Sequence, residues 1–314
     1  MRKKTYDLVI IGAGPAGLTA SIYAQRARLD AVVLERLVPG GQILLSERIE
    51  NYPGVPLPIS PKRLMEKMQR QAENLGMKLE QVETKGIELD EEKKIIHTLS
   101  DKKYTTLAVI IASGTEPSKL GAEGETTFVG RGVSYCATCD APFFKDREIM
   151  VVGGGNTALE ETLHLVKFVS KVYLVHRRGM LRAEKILQER AFRNPKVEII
   201  FRSVVTMIYG DSQVEGVNLK NLETGKIKKI PCAGIFISVG LKPNTEFIRG
   251  LIELDKKGFV KTRANLETNV PGIFACGDVR KNLLKQVVVA CGEGALAVAS
   301  AEKYINKIKG IEYS

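Results

Sequence analysis

The chain has 314 residues, 44% apolar and 26% charged, a length that suggests two domains and a balance ordinary for a soluble globular protein. Five cysteines (136, 139, 232, 276 and 291) are too few and too uneven for a secreted disulfide scaffold, and the longest uncharged run, LVIIGAGPAGLTASIYAQ, is broken by glycines, a proline and a glutamine, which argues against a membrane span or leader. The net charge of +11 comes from lysines scattered among acids, as in DEEKK and DKK, without aromatic interleaving, so a cytoplasmic protein with no nucleic-acid or membrane partner is expected.

In chain order, residues 6–35 read YDLVIIGAGPAGLTASIYAQRARLDAVVLE: an apolar strand, a glycine turn, helical periodicity to about Leu29, and a second strand. Gly12, Gly14 and Gly17 fit GxGxxG. The first glycine permits the tight turn, the second lets backbone approach a pyrophosphate, and the third lets helix and strand pack closely. The helix N-terminus offers unpaired N–H groups and partial positive charge to phosphate. Glu35 ends the second strand, 21 residues after Gly14, where it would accept hydrogen bonds from an adenosine ribose.

Residues 109–120, VIIASGTEPSKL, end a buried strand at Gly114 and Pro117, which mark a crossing to a second domain. Next comes YCATCDAPFF at 135–144. A metal on Cys136 and Cys139 would need two more ligands, and none of His97, His164 or His176 stands at ligand spacing. A structural bridge across so short a loop would restrain the unfolded chain little and would be reduced in cytosol. The favoured reading is a redox dithiol, whose reactive thiolate a CxxC setting brings from a pKa of about 8.5 to roughly 7 or below. Asp140 is the nearest acid able to protonate a leaving thiolate, with a helix cap as its other reading. Phe143 and Phe144 are expected in the core, and Cys232, Cys276 and Cys291 as buried small hydrophobes.

Residues 147–178, REIMVVGGGNTALEETLHLVKFVSKVYLVHRR, repeat the strand, glycine turn, helix and strand about 140 residues after the first copy. Gly153 and Gly155 keep the fingerprint, with Ala158 in its third position. The place of the ribose-binding acid falls on His176, followed by Arg177 and Arg178. A carboxylate there would repel a 2′-phosphate, whereas guanidinium groups bind one, so this site should prefer NADP to NAD. The return crossing is FISVGLKPNTEF at 236–247, with Gly240 and Pro243; GIFACGDV and the helical VVVACGEGALAVASAEKYI then complete the first domain. The expected fold is α/β: two Rossmann-like dinucleotide-binding domains, the second (118–246) inserted into a discontinuous first (1–117 and 247–314).

The ordered motifs GAGPAGLTA, GGQ followed by ENYPG, CATCD, GGGNTALEE, HRR with a later RA, GIFACGDV and KQVVVACGEGALA span nearly the whole chain. By them it resembles the low-molecular-weight bacterial and archaeal thioredoxin reductases. That resemblance implies FAD in the discontinuous domain and NADPH in the inserted one. It also implies a homodimer and a domain rotation that alternately presents nicotinamide and disulfide to the flavin. FAD contacts would come from Gly12, Gly14, Ala16, Gly17, Glu35, Arg36, Gly41, Gln42, Asn51, Asp278, Lys285, Gln286 and Val287. NADPH contacts would come from Gly153, Gly155, Asn156, Thr157, His176, Arg177, Arg178 and Arg182. Cys139 would sit against the flavin, Cys136 would attack the partner's disulfide, and Asp140 would be the acid.

Three departures from the family pattern involve four positions. Asn156 and Thr157 replace a frequent Asp-Ser, Lys285 replaces an arginine and loses its bidentate fork, and Cys276 replaces an alanine beside the flavin-binding Gly-Asp. The implied activity is thioredoxin-disulfide reduction, the partner being thioredoxin or a glutaredoxin-like protein. Thioredoxin stands at about −270 mV, so a pair at about −120 mV would face roughly 7 kcal/mol uphill for two electrons. The alternatives are a flavin reductase of the same fold serving ferredoxin or another acceptor, whose relatives lack the CxxC, and a non-catalytic redox sensor.

Overall fold

The computed structural model describes residues 4–45, 49, 52–57, 59–135 and 137–311, with Leu45, Thr138 and Cys139 described by backbone alone. Two units emerge. One comprises Met1–Leu44, Ile49–Glu116 and Lys242–Ser314; the bulk of the other is Pro117–Leu241.

The first unit opens with β1 (Thr5–Ile11), α1 (Pro15–Arg26) and β2 (Ala31–Glu35), the βαβ plan expected from the sequence. Leu8 and Ile10 of β1 enter one core and Val9 and Ile11 another, all buried. A strand covered on both faces reads as a continuous apolar run, not an alternating one. α2 (Pro61–Asn74) starts where Ser60 Oγ accepts the Arg63 N–H at 3.3 Å and Pro61 supplies a preset φ; such a cap is worth ~1 kcal/mol. Its buried Leu64, Met65, Met68 and Ala72 form one helical stripe. There follow β3 (Leu79–Gln81), β4 (Thr84–Asp90), β5 (Lys93–Thr98) and β6 (Lys103–Ile111). The sheet order is β3-β2-β1-β6-β5-β4, parallel through β6 and antiparallel beyond it.

β7 (Thr115–Pro117) carries the chain into the second unit. There β8 (Val133–Ser134), the short α3 (Ala137–Asp140) and a 3-10 turn at Ala141–Phe144 precede β9 (Glu148–Gly153), α4 (Asn156–Leu165) and β10 (Lys171–Val175). α5 (Lys185–Arg193) leads to β11 (Val197–Ile200). An antiparallel meander follows, of β12 (Ser203–Tyr209), β13 (Gly216–Asn221) and β14 (Ile227–Pro231), and β15 (Gly234–Ser238) rejoins the main sheet. That sheet runs β11-β10-β9-β15-β8 with every pair parallel. β16 (Leu241–Pro243) leaves the unit and pairs with β7, so the two crossings run side by side.

Back in the first unit, β17 (Ile273–Ala275) lies parallel to the second half of β6, Ile273 against Val109. The parallel core is thus β3-β2-β1-β6-β17; its first four strands correspond to β11-β10-β9-β15, and the fifth differs, β17 following β6 in the chain whereas β8 precedes β9. α6 (Val287–Lys309) crosses α1 closely: a Cβ on Gly294 would stand 2.3 Å from the Ala16 carbonyl oxygen. Gly310 ends it in the left-handed region at φ 67°. Lys94, 2% exposed, donates to Tyr304 Oη at 2.9 Å and the Leu107 carbonyl at 3.0 Å, tying α6 to the sheet; burial pushes its pKa down to about 8. No helix among the described residues is long and apolar enough to cross a membrane.

Candidate active site

In the first unit the N-terminus of α1 gathers most of the residues expected there. Gly12 has φ +106°, and a Cβ on it would meet the Ala112 carbonyl oxygen at 2.4 Å. One on Gly17 would stand 1.8 Å from the Gly12 carbonyl oxygen, so the helix rests directly on the strand end. Gly14 has no such neighbour: its nearest atom would be 3.8 Å away, which leaves its backbone approachable. Glu35 Oε2 accepts the Ala13 N–H at 2.7 Å and Oε1 the Leu37 N–H at 2.9 Å. Each oxygen keeps a lone pair for a hydroxyl. Gly40 donates its N–H to the Ala13 carbonyl at 2.8 Å, which brings Gly41 against Gly14; Gln42 Nε2 donates to the Thr115 carbonyl at 2.7 Å. On the other flank Gly277 presses on Ala16, bringing Asp278 beside the turn. Burial raises the pKa of Asp278, partly offset by Lys285.

Other expected contacts are engaged within the protein. Arg36, exposed, pairs with Glu116. Lys285 Nζ donates to the Asp278 carbonyl at 2.7 Å and Asn282 Oδ1 at 3.2 Å, and sits 4.4 Å over the Phe259 ring. Gln286 occupies the N-cap position of α6, without a side-chain cap hydrogen bond, and Val287 begins the helix. Asn51 lies outside the described residues.

In the second unit Gly155 caps α4 in extended backbone, and a Cβ there would meet nothing within 4 Å. Thr157 stands in the first turn, and Asn156 Nδ2 donates to Glu184 Oε1 at 2.8 Å while its Oδ1 accepts the Glu184 backbone N–H at 2.8 Å. The close strand-to-helix contact is made by Gly153 against Ala158, which explains why alanine is tolerated in the third position. His176 is buried with its ring flat against Gly154, and no described residue partners its Nε2. Burial, then Arg182, Arg178 and Arg177, lower its pKa, so the ring is neutral at pH 7. Those three arginines are exposed, without an acidic partner among the described residues, and the Arg182 N–H reaches the Gly154 carbonyl at 2.6 Å.

The cysteine segment also belongs to the second unit. Cys136 lies outside the described residues, and Cys139 is known as a backbone position of α3. Ala137 and Ala141 are buried in the core beneath. Asp140 makes no cap hydrogen bond, so its reading as a helix cap is not realised. The two phenylalanines separate, correcting the expectation that both are core. Phe144 packs edge-on to Phe236 at 5.3 Å, while Phe143 is 81% exposed, because successive residues of a 3-10 turn face different ways. Cys232, Cys276 and Cys291 are buried free thiols; burial pushes Cys232 up to about 12 and raises Cys276 further, which suits inert core residues. Among the described residues no group of three His, Cys, Asp or Glu could hold a metal ion.

The model of the pyridine nucleotide-disulphide oxidoreductase family matches residues 6–294. The chain belongs to this family. Within it, the chain is 46% identical over 308 residues to the thioredoxin reductase of Listeria monocytogenes, covering 98% of this chain and 96% of that protein. It is 44% identical over 310 residues to that of Peptoclostridium acidaminophilum, covering 96% and 98%. The crystal structure of Lactococcus lactis thioredoxin reductase in its FR conformation superposes with a TM-score of 0.82 at 43% identity, over 96% of this chain and 99% of that one.

Sequence reading missed one carboxylate of this oxidoreductase, Glu161 on α4. It accepts from Ser238 Oγ and from the N–H of Ala137, the residue after Cys136. Nothing in the spacing of 137, 161 and 238 signals that meeting. Burial raises its pKa to about 6 from the ordinary 4.5. Between those values the folded protein holds a proton the unfolded chain has lost, so stability falls as pH rises through the window, by up to about 2 kcal/mol. Glu161→Gln should lack this slope. Melting curves from pH 4.5 to 7.5 should show the variant gaining on the parent as pH rises, and parallel curves would refute it.

Proposed function

We propose that the chain is a thioredoxin-disulfide reductase, drawing electrons from NADPH by way of FAD and the Cys136–Cys139 pair for thioredoxin or a similar small dithiol protein. The observation that carries the reading is the pairing of two unlike fingerprints in one chain. One glycine turn has Glu35 beside it, and the other has buried His176 with three arginines that have no acidic partner among the described residues, in the unit that also holds the cysteine segment.

The residues present fit both cofactors. At Gly155 the space over the helix N-terminus is open, and at Gly14 the nearest neighbour of an added Cβ would stand 3.8 Å away, so both turns leave their backbone approachable, as a pyrophosphate requires. On this reading 1–117 and 247–314 hold FAD and 118–246 holds NADPH. Glu35 receives ribose hydroxyls and Asp278 a further hydroxyl of FAD, while Arg177, Arg178 and Arg182 receive the 2′-phosphate of NADPH. His176, neutral and buried with its ring against Gly154, supports the glycine turn beside these arginines. Bound together, the two cofactors supply hydride and two-electron chemistry.

The protein's own step is thiol exchange. Cys136 as thiolate attacks the partner's disulfide, forming a mixed disulfide and expelling one thiolate, which takes a proton from Asp140. Cys139 then attacks the Cys136 sulfur, which closes the Cys136–Cys139 bond and releases the partner as a dithiol. Phe143, exposed three residues beyond Asp140, offers an apolar contact for that partner. The resemblance supports a cytoplasmic homodimer without nucleic-acid or membrane partners.

An anaerobic titration with NADPH, following the flavin spectrum, tests the reading. Uptake of about four electrons per subunit is expected, two for the flavin and two for the cysteine pair. Uptake of two with both cysteines untouched would put the pair off the electron path and favour a flavin reductase serving another acceptor.

A further inference from the structure

Asp278 occupies a turn, Gly277–Val279, built by contacts that no local pattern announces. Gly277 sits at φ +74°, in the left-handed region, and a Cβ there would stand 2.9 Å from Ala16 Cβ. The backbone is thus pressed against the first turn of α1, and its N–H must be taken by something other than a strand.

Glu293, in the second turn of α6, takes it. Its Oε2 accepts the Gly277 N–H at 2.8 Å, while Oε1 accepts from Arg280 Nη1 at 2.5 Å. Arg280 is held in turn by Nε to Thr262 Oγ1 at 3.1 Å, and the side chains of Arg280 and Glu293 are only 17% and 12% exposed. Beyond Asp278 its carbonyl is held by Lys285 at 2.7 Å. The turn is therefore clamped on both sides, and among the described residues no donor meets the Asp278 carboxylate itself. A half-buried carboxylate without a donor, on a backbone fixed by two charged side chains, is arranged for a ligand and not for the fold.

We propose that Glu293 is a positioning residue: with Arg280 as its counter-ion it fixes the Gly277–Val279 turn so that Asp278 is presented to a hydroxyl of bound FAD. The inference rests on the reading of this unit as the FAD site. Glu293 acts through the turn and touches no reacting atom. Its effect on FAD should pass through Asp278, which a merely structural role would not require.

The test is a double-mutant cycle on FAD dissociation, read by the fluorescence of released flavin, with Glu293→Ala, Asp278→Asn and both together. Each single change should weaken FAD by about ten- to hundredfold, and the double variant should be little worse than the weaker-binding single. Glu293→Gln, which keeps an acceptor for the Gly277 N–H, should recover most of the affinity, and it stands in for the alanine variant if that fails to fold. Multiplying losses in the double variant would overturn the inference and leave the FAD reading intact. Unchanged FAD binding in Asp278→Asn would overturn both.

Discussion

Cys136→Ser removes reduction of thioredoxin, by roughly three orders of magnitude or more, while the flavin is still bleached by NADPH. A nucleophile that opens the partner's disulfide has no substitute, since serine's hydroxyl is not ionised at neutral pH and cannot form the mixed disulfide. Cys139→Ser loses turnover as completely but leaves a different trace. Cys136 can still attack, and with no second thiol to resolve it the mixed disulfide persists as a covalent complex on a non-reducing gel. The assignment of roles rests on that asymmetry: a complex trapped by the Cys136 variant instead would exchange the two roles, and retained turnover in either variant would remove the pair from the mechanism. The remaining thiols offer no rescue, because Cys232, Cys276 and Cys291 are buried.

The second large effect is on nucleotide choice. Arg177→Ala with Arg178→Ala should raise KM for NADPH by about 30- to 1000-fold, with kcat little changed and KM for NADH moving by less than about threefold. The argument is geometric. β10 ends at Val175, His176 turns into the core against Gly154, and the next two side chains are left in solvent at the position where a ribose acid would stand. With no acidic partner among the described residues to neutralise them, their charge is available to a 2′-phosphate. Being exposed, they are screened, so the discrimination should shrink as salt rises. Equal losses for NADPH and NADH would show that the arginines serve the pyrophosphate or the fold.

The strand, glycine turn and helix of both βαβ units were legible because their determinants are local. Four apolar residues covered on both faces make a continuous run, and Gly12 and Gly17 stand where any Cβ would strike backbone. The cysteine pair could be picked out for the same reason, because the redox reading proposed for it rests on a spacing of three. Sequence also named Glu35 and Arg177 through their distance from a glycine, because a βαβ unit has nearly constant length.

Contacts between residues far apart in the chain leave no such mark. β17 joins β6 across more than 160 residues, Glu293 reaches Gly277 from a helix whose periodicity records only its buried stripe, and Glu161 meets the Ala137 N–H from another. Phe143 and Phe144 are identical to the eye of composition, yet one packs on Phe236 and the other faces solvent, since a four-residue 3-10 turn carries no period that fixes its direction. By itself the sequence determined which local pieces exist and what chemistry they carry. Tertiary packing alone decided which carboxylates hold those pieces in place, because the donor each one satisfies is created only when distant backbone is buried beside it.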